Sequence, residues 1–485
     1  MSKEAIKGLE PTAVWEQFYQ INQIPRESGN EAALREYILS WAKKLGISAR
    51  TDKIGNVILR KPATPGFENL PTVILQGHLD MVCEKNRGTV HDFAVDPIKL
   101  VRDGDWIHAG GTTLGADNGI AVAMAMVIFE DHAIEHGPLE ALFTIDEETG
   151  LVGAMNLEAS LLEGKILINL DTEEEDTLCI GCAGGVNTEG ELPVKREAVP
   201  AGYEAYQLVV NGLQGGHSGT EIHRGLGSAL LMAMRILKYI GAATDTRLAA
   251  LEGGGKHNAI PRECFVDLLI PAVDLEKVKA IVEENRLGFT TDYADIEPDL
   301  SITLNKMDTA PDSVIDRDSF IRLVDMVYAM PHGVIEMSRV MDDLVESSTN
   351  LAAVDLREDH LYVLTSQRAS SNFLRDDIRD RIMSCFTAAG GTASQNNIYP
   401  GWKPNLNSPI LETAREAYVR VMGKDPRIEA IHAGLECGVI GDKIPGIDMI
   451  SLGPDIRMAH TPEEKMSISS LERIWKLVLE MLKAV

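Results

Sequence analysis

Short unbroken apolar runs and helical periodicities alternate along much of the chain. Thr72-Val73-Ile74-Leu75-Gln76, Leu142-Phe143-Thr144-Ile145, Ile166-Leu167-Ile168-Asn169-Leu170 and Asp448-Met449-Ile450-Ser451-Leu452 are rich in strand-forming residues and lack polar alternation. Runs of this kind form strands covered on both faces, as in a parallel sheet. Asn56–Arg60 is a further short strand candidate. Between these runs, Ala13-Val14-Trp15 with Phe18-Tyr19, and then Ala32–Leu45, repeat at helical spacing. Gly119–Asp131 is apolar on nearly every side, which predicts a buried helix. A last helix from about Ser469 carries Leu471, Ile474, Trp475, Val478, Leu479 and Leu482 on one face. Alternating strands and helices predict an α/β fold with a mostly parallel sheet.

The middle of the chain has a different texture. Tyr206–Val210 and Leu361–Leu364 alternate more, and helical stretches follow each, at Gly227–Ile240 and Asn372–Cys385. This predicts an inserted α+β domain, with joints at the glycine-rich Gly181–Gly185 and the Tyr399-Pro400-Gly401-Trp402 turn. The division is 1–186, 187–400 and 401–485, the outer segments forming one split domain.

Composition narrows the partners. The 485 residues include 73 acidic and 46 basic side chains, a formal charge of −27. That balance argues against nucleic acid, which is gripped by basic residues, and against an anionic membrane surface. The N-terminal segment lacks an apolar core and cleavage site, and no apolar run approaches the roughly 20 residues a bilayer requires. Six cysteines are too few for a disulfide scaffold, so a reducing cytoplasm is expected. Cys179-x-x-Cys182 lacks the second pair of a zinc ribbon and reads as small residues packed in a strand, a thiol–disulfide role being a distant alternative.

Each of the four buried-strand runs leads into polar groups that metals prefer. They are Gly77-His78-Leu79-Asp80, Asp146-Glu147-Glu148-Thr149-Gly150, Asp171-Thr172-Glu173, and the loop ending Ala459-His460-Thr461. Asp117 precedes the buried helix. Functional groups of parallel sheets collect beyond the carboxyl ends of the strands, so these five segments are expected to meet. Two histidines with several carboxylates suit zinc, manganese or cobalt better than calcium. One carboxylate can bridge two ions about 3.5–4 Å apart. His78 and Asp80 have the composition of a ligand and its orienting carboxylate. Adjacent Glu147 and Glu148 repel unless a cation lies between them or one is protonated, so one can bind metal while the other moves a proton. Glu173-Glu174-Glu175-Asp176 reads as a solvated acidic run.

These motifs carry a resemblance. Gly77-His78-Leu79-Asp80-Met81-Val82, Gly115-Ala116-Asp117-Asn118-Gly119-Ile120, Asp146–Gly150 and Asn169-Leu170-Asp171-Thr172 resemble the signature of the two-metal peptidase family of carboxypeptidase G, peptidase T and aminoacyl-histidine dipeptidase. Gln214–Gly219, Lys256–Pro261, Ser366–Ser371 and His432–Gly438 are similar to its aminoacyl-histidine dipeptidase branch. The resemblance implies an α/β catalytic domain with an inserted α+β lid at 187–400 that mediates homodimerisation. It implies two divalent ions, zinc first and cobalt or manganese as alternatives. His78 and Asp171 would hold one ion, Glu148 and His460 the other, with Asp117 bridging. Asp80 would orient His78, and Glu147 would be the general base acting on a metal-bridged water. His217 would stabilise the oxyanion, from its own chain or a partner subunit. Asn258 and Arg368 would bind the substrate backbone or carboxylate; His432 and Glu436 are further candidates for substrate contact. The implied activity is hydrolysis of small dipeptides, preferentially Xaa-His and including β-alanyl-histidine. A related aminopeptidase, an N-acyl amino-acid deacylase and a non-catalytic peptide binder are the alternatives.

Overall fold

The strand Val73–His78 is buried at every position and lies inside an eight-stranded sheet. In this computed structural model, which describes residues 2–485, Leu139–Thr144, Val73–His78, Ile166–Asn169 and Asp448–Ser451 are adjacent and parallel. Antiparallel strands flank that core, Val57–Lys61 and Ser48–Thr51 on one side and Thr177–Cys182 on the other. The parallel register sets His78 level with Thr144, and Gln76 level with Asn169. The strand ends therefore stop together, and the loops that follow leave from one edge.

The predicted buried helix is Ala116–Glu130, whose residues from Asn118 to Phe129 are all buried. The last helix is Ile468–Ala484, started by Ser467 accepting a hydrogen bond from the Ser470 amide. Its buried face is rotated from the sequence expectation. Leu477 and Met481 are buried with Leu471, Ile474, Val478 and Leu482, whereas Trp475 and Leu479 are only partly covered. Residues three and four apart share a face, so an apolar-rich helix has several permissible stripes and the neighbour chooses among them.

A small four-stranded sheet was not expected. It joins Ile456–Arg457, Lys465–Ser467, Trp106–Ala109 and Leu100–Asp103. Ile456–Arg457 and Lys465–Ser467 pair antiparallel, so the segment between them, with His460, is a hairpin loop. Lys465–Ser467 pairs in turn with Trp106–Ala109, which leads toward Asp117.

The chain divides into two units. The first comprises the chain up to Cys182, Trp402–Ala430 and Leu435–Val485; the second comprises Ala183–Gly401 and Ile431–Gly434. The second unit is built on a nine-stranded antiparallel sheet. Its core joins sheet residues such as Leu208, Val266 and Val363 to Leu237, Val278, Phe320 and Phe386 of four helices. That is an α+β unit inserted into an α/β chain, the expected fold class. No described helix is long and apolar enough to cross a membrane. Cys179 and Cys182 lie buried in the strand Thr177–Cys182, and no disulfide links them.

Candidate metal centre

Asp117 faces two histidines with its two oxygens. Its Oδ1 is 3.0 Å from His78 Nε2, and its Oδ2 is 3.1 Å from His460 Nε2. His78 Nε2 is also 3.5 Å from Asp171 Oδ1, and His460 Nε2 is 3.0 Å from Glu148 Oε2. Two donor triads result, His78–Asp117–Asp171 and Asp117–Glu148–His460, each with its ligand atoms within 4.8 Å of one another. Glu147 completes a third group with His78 and Glu148. The five expected ligands and Glu147 therefore converge within the first unit.

Asp80 organises this cluster from below. It is fully buried, and its Oδ1 lies 3.3 Å from His78 Nδ1. The same carboxylate accepts the backbone N–H groups of Glu147 and Glu148, at 3.0 and 3.2 Å, and the Ser28 hydroxyl at 2.8 Å. One side chain thus sets the imidazole of His78 and the turn that carries the paired glutamates. Asp146 begins that turn with φ of 50°, a left-handed conformation that aspartate tolerates better than most residues.

Electrostatics mark the site as built for cations. Hydrogen bonds to Asp117 and Glu148 push His460 up to about 11. Burial opposes protonation of His78, but Asp171, Asp117 and Asp80 together raise it well above its ordinary value. Burial also works against ionised Asp80, yet His78 and the turn amides bring it down to about 2. Glu147 moves the other way. Burial, reinforced by the charges of Asp171, Glu436 and Glu148, raises it well above the usual carboxylate range despite the attraction of His78.

The donor set fits a pair of divalent ions. Among the described residues, Glu148 Oε1 and Asp171 Oδ1 are buried without a hydrogen-bond partner. Buried polar atoms are nearly always satisfied, so these oxygens lack something that a cation supplies. Two imidazoles among an excess of carboxylates suit zinc, cobalt or manganese.

The remaining expected site residues are placed as follows. In the second unit, His217 Nδ1 accepts the backbone N–H groups of Gly219 and Thr220, at 3.2 and 3.1 Å. The ring proton therefore sits on Nε2, which makes that nitrogen a donor. Burial, with the nearby charge of Arg368, lowers the proton affinity of this imidazole. His217 pairs with Ala259 in a β-bridge, and the Asn258 carbonyl accepts the Ser218 amide at 2.9 Å, so His217 and Asn258 are neighbours. Arg368 is buried, donates to Tyr399 Oη at 3.1 Å, and pairs with no carboxylate among the described residues. A buried guanidinium without an anion is suited to an anionic ligand. His432 is buried and bonds Ser348 Oγ at 2.7 Å. Glu436, in the first unit, has no exposed surface; Gln76 and Thr144 both donate to its Oε2 at 2.6 Å. Neither His432 nor Glu436 presents an open surface.

Glu173, grouped in the sequence both with the Asp171 strand end and with a solvated acidic run, is partly buried, and that burial with the charges of Asp117 and Asp171 pushes it up to about 8. Other residues of the site escape a reading of the sequence. Gln76 Oε1 accepts from Asn169 Nδ2, tying together the two strands that lead to His78 and Asp171. Glu464 bonds the Asp117 turn. Amide and carboxylate residues inside apolar runs are the only local signal for Gln76 and Asn169, and Glu464 has none.

A fold and site of this kind define a metallohydrolase. The profile of Peptidase family M20/M25/M40 matches residues 74–484. The chain is 42% identical over 482 residues to the cytosol non-specific dipeptidase of Escherichia coli, covering 99% of both chains. The structure of aminoacylhistidine dipeptidase from Vibrio alginolyticus superimposes with a TM-score of 0.94 at 39% identity, covering 100% of this chain and 99% of that one. Aminopeptidase PepT from Bacillus cereus shares the fold at a TM-score of 0.58 and 17% identity, with 98% of each chain covered. The chain belongs to peptidase family M20/M25/M40 and is a hydrolase of that family.

Proposed function

We propose that this protein is a cytoplasmic dinuclear metallo-dipeptidase, with Xaa-His dipeptides, β-alanyl-histidine included, among its preferred substrates. The carrying observation is the convergence of His78, Asp117, Glu148, Asp171 and His460 around a two-faced Asp117, with Glu147 beside them. The names of two near-full-length relatives support a dipeptide substrate, one being called a non-specific dipeptidase and the other an aminoacylhistidine dipeptidase. The word cytosol in one name, and six cysteines without a disulfide, support the location.

In this reading His78 and Asp171 would hold one ion and Glu148 and His460 the second, with Asp117 available to both. Bound divalent ions, zinc first, supply Lewis acidity that polarises the scissile carbonyl and acidifies water. Asp80 fixes the His78 ring through Nδ1, leaving Nε2 for coordination. Glu147 accepts a proton from the attacking water as the new C–O bond forms. It returns that proton to the leaving amine nitrogen as the C–N bond breaks, so its carboxylate is regenerated. Its high proton affinity suits both halves of that exchange. His217 Nε2–H donates to the developing oxyanion, in its own chain or from a second subunit, and Arg368 and Asn258 grip the substrate carboxylate and backbone. The division into a catalytic domain (1–186 and 401–485) and a lid that dimerises (187–400) belongs to the same proposal.

The test is kcat/KM of metal-loaded protein on a panel of dipeptides, tripeptides and N-acyl amino acids. Alanyl-histidine and β-alanyl-histidine are expected among the best substrates, with activity abolished by chelator and restored by zinc or cobalt. Full activity after chelation sinks the metal mechanism. A panel led by tripeptides or N-acyl amino acids assigns an aminopeptidase or deacylase instead.

A further inference from the structure

The turn carrying Asp117 is held by a carboxylate that the hydrolytic chemistry does not use. Glu464 Oε2 accepts the backbone N–H groups of Leu114 and Gly115 at 2.7 and 2.9 Å. Its Oε1 accepts those of Ala116 and Asp117 at 2.8 and 3.3 Å. Four successive amides make a concave anion site, filled here by the protein's own side chain. Glu464 is 2% exposed. The carbonyl side of the turn is held by Arg26, itself 1% exposed, which donates to the carbonyls of Gly115, Leu79 and Asp80. The turn is tightly packed: a Cβ on Gly115, whose φ is +69°, would run into Arg26 Nη2 and Met81 Sδ.

Glu464 also belongs to the hairpin loop that carries His460, and its own amide donates to the Thr461 carbonyl at 3.0 Å. The His460 side chain is 52% exposed and its backbone has φ of 63°. Little packing holds that imidazole. What closes the arrangement is a ring of contacts: His460 to Asp117 by side chains, Asp117 to Glu464 by its amide, and Glu464 back to His460 along the chain.

We propose that Glu464 is a positioning residue that latches the loop carrying His460 to the turn carrying Asp117, presetting the ion site formed by Asp117, Glu148 and His460. The proposal rests on the reading of those three as metal ligands. A preset site binds its ion without the cost of ordering two loops. Glutamine at this position keeps one acceptor oxygen but turns an NH2 group toward amides that are themselves donors. Changes in groups that orient metal ligands typically weaken binding by about 10–100-fold.

The experiment titrates metal-free native protein, E464Q, E464D and, as a site reference, H460A with Co2+, reading binding steps from the cobalt absorption spectrum and folding by circular dichroism. Native protein is expected to bind two ions. Folded E464Q is expected to lose affinity chiefly for one ion, by about 10–100-fold, that ion being the one H460A loses, with a smaller effect on the other through the shared Asp117. E464D, which keeps the charge but retracts it, should weaken the same ion and decides the matter if E464Q does not fold. Native affinity for both ions overturns the latch. Equal weakening of both also overturns it, since that marks general support of the fold. Fewer than two ions on native protein overturns the ligand reading, and the latch with it.

Discussion

Glu147 shows how a side chain's surroundings select its task. Glu148 and Glu147 are adjacent and chemically identical, yet Glu148 points Oε2 at His460 whereas Glu147 has no cationic hydrogen-bond partner among the described residues and holds its proton more tightly than a free carboxylate. Glu147→Gln keeps the shape and removes the proton acceptor. Its metal content should match native protein while kcat falls by roughly 10²–10⁴-fold; near-normal turnover would remove Glu147 from that role. His432 makes a separate prediction about stability. Burial, with Arg368 nearby, lowers its imidazole to about 3, whereas the unfolded chain protonates near the ordinary value of 6.5. The unfolded state therefore takes up the proton first, and the stabilisation present above pH 6.5 is lost as pH falls toward 3. Between pH 7 and 4.5 that loss is on the order of 2–3 kcal/mol. Replacing His432 with Gln should flatten the pH dependence of Tm over that interval, and an unchanged slope would count against it. At this scale the ligand types were legible from residue chemistry. The lowered proton affinity of His217 and His432, and the partial burial of Glu173, were not, because they depend on what packs against each ring or carboxylate.

At the scale of elements, the strands are legible where they are buried on both faces. Val73–His78 and Ile166–Asn169 announce themselves as continuous apolar runs because no face meets water. Strands of two to four residues carry no such signal, and the small sheet that presents the His460 loop is made of them. The last helix has enough apolar residues that periodicity alone allows more than one buried stripe. Leu477 is fully buried and Leu479 is not. Leu477→Ala should therefore cost about 2–5 kcal/mol and Leu479→Ala distinctly less, measured by chemical denaturation. A larger cost for Leu479→Ala than for Leu477→Ala would mean that the helix packs on the stripe its sequence suggested first.

For the molecule as a whole, every expected metal ligand lies in the first unit, whereas Arg368, the residue expected to bind a substrate carboxylate, lies in the second. Metal binding should then act on one unit. Hydrogen exchange on adding zinc to stripped protein should slow in the segments around 114–119, 146–150, 171–173 and 458–464. The strands of the nine-stranded sheet should exchange as before. Equal protection of both units would show that ions also bind outside the centre. The charge of −27 is only slightly drawn down by the centre, since Asp80, Asp117, Glu147, Glu148 and Asp171 are five of 73 acidic residues.

The amino-acid sequence by itself determined the parallel core, the inserted α+β segment and the kinds of residue that follow each core strand. Those features are local: a strand covered on both faces is mostly apolar along its length, and a candidate ligand must carry a donor such as an imidazole or a carboxylate. Only the tertiary structure decided which oxygen faces which ring. His460 and Asp117 meet across 343 residues of chain, and so no spacing rule connects them. The four amides around Glu464, the two donors on Glu436 and the shared clamp of Asp80 on His78 and the glutamate turn are likewise products of packing. Hydrogen bonds of this length tolerate errors of a few tenths of an ångström, which is a precision that folded neighbours impose and local sequence does not.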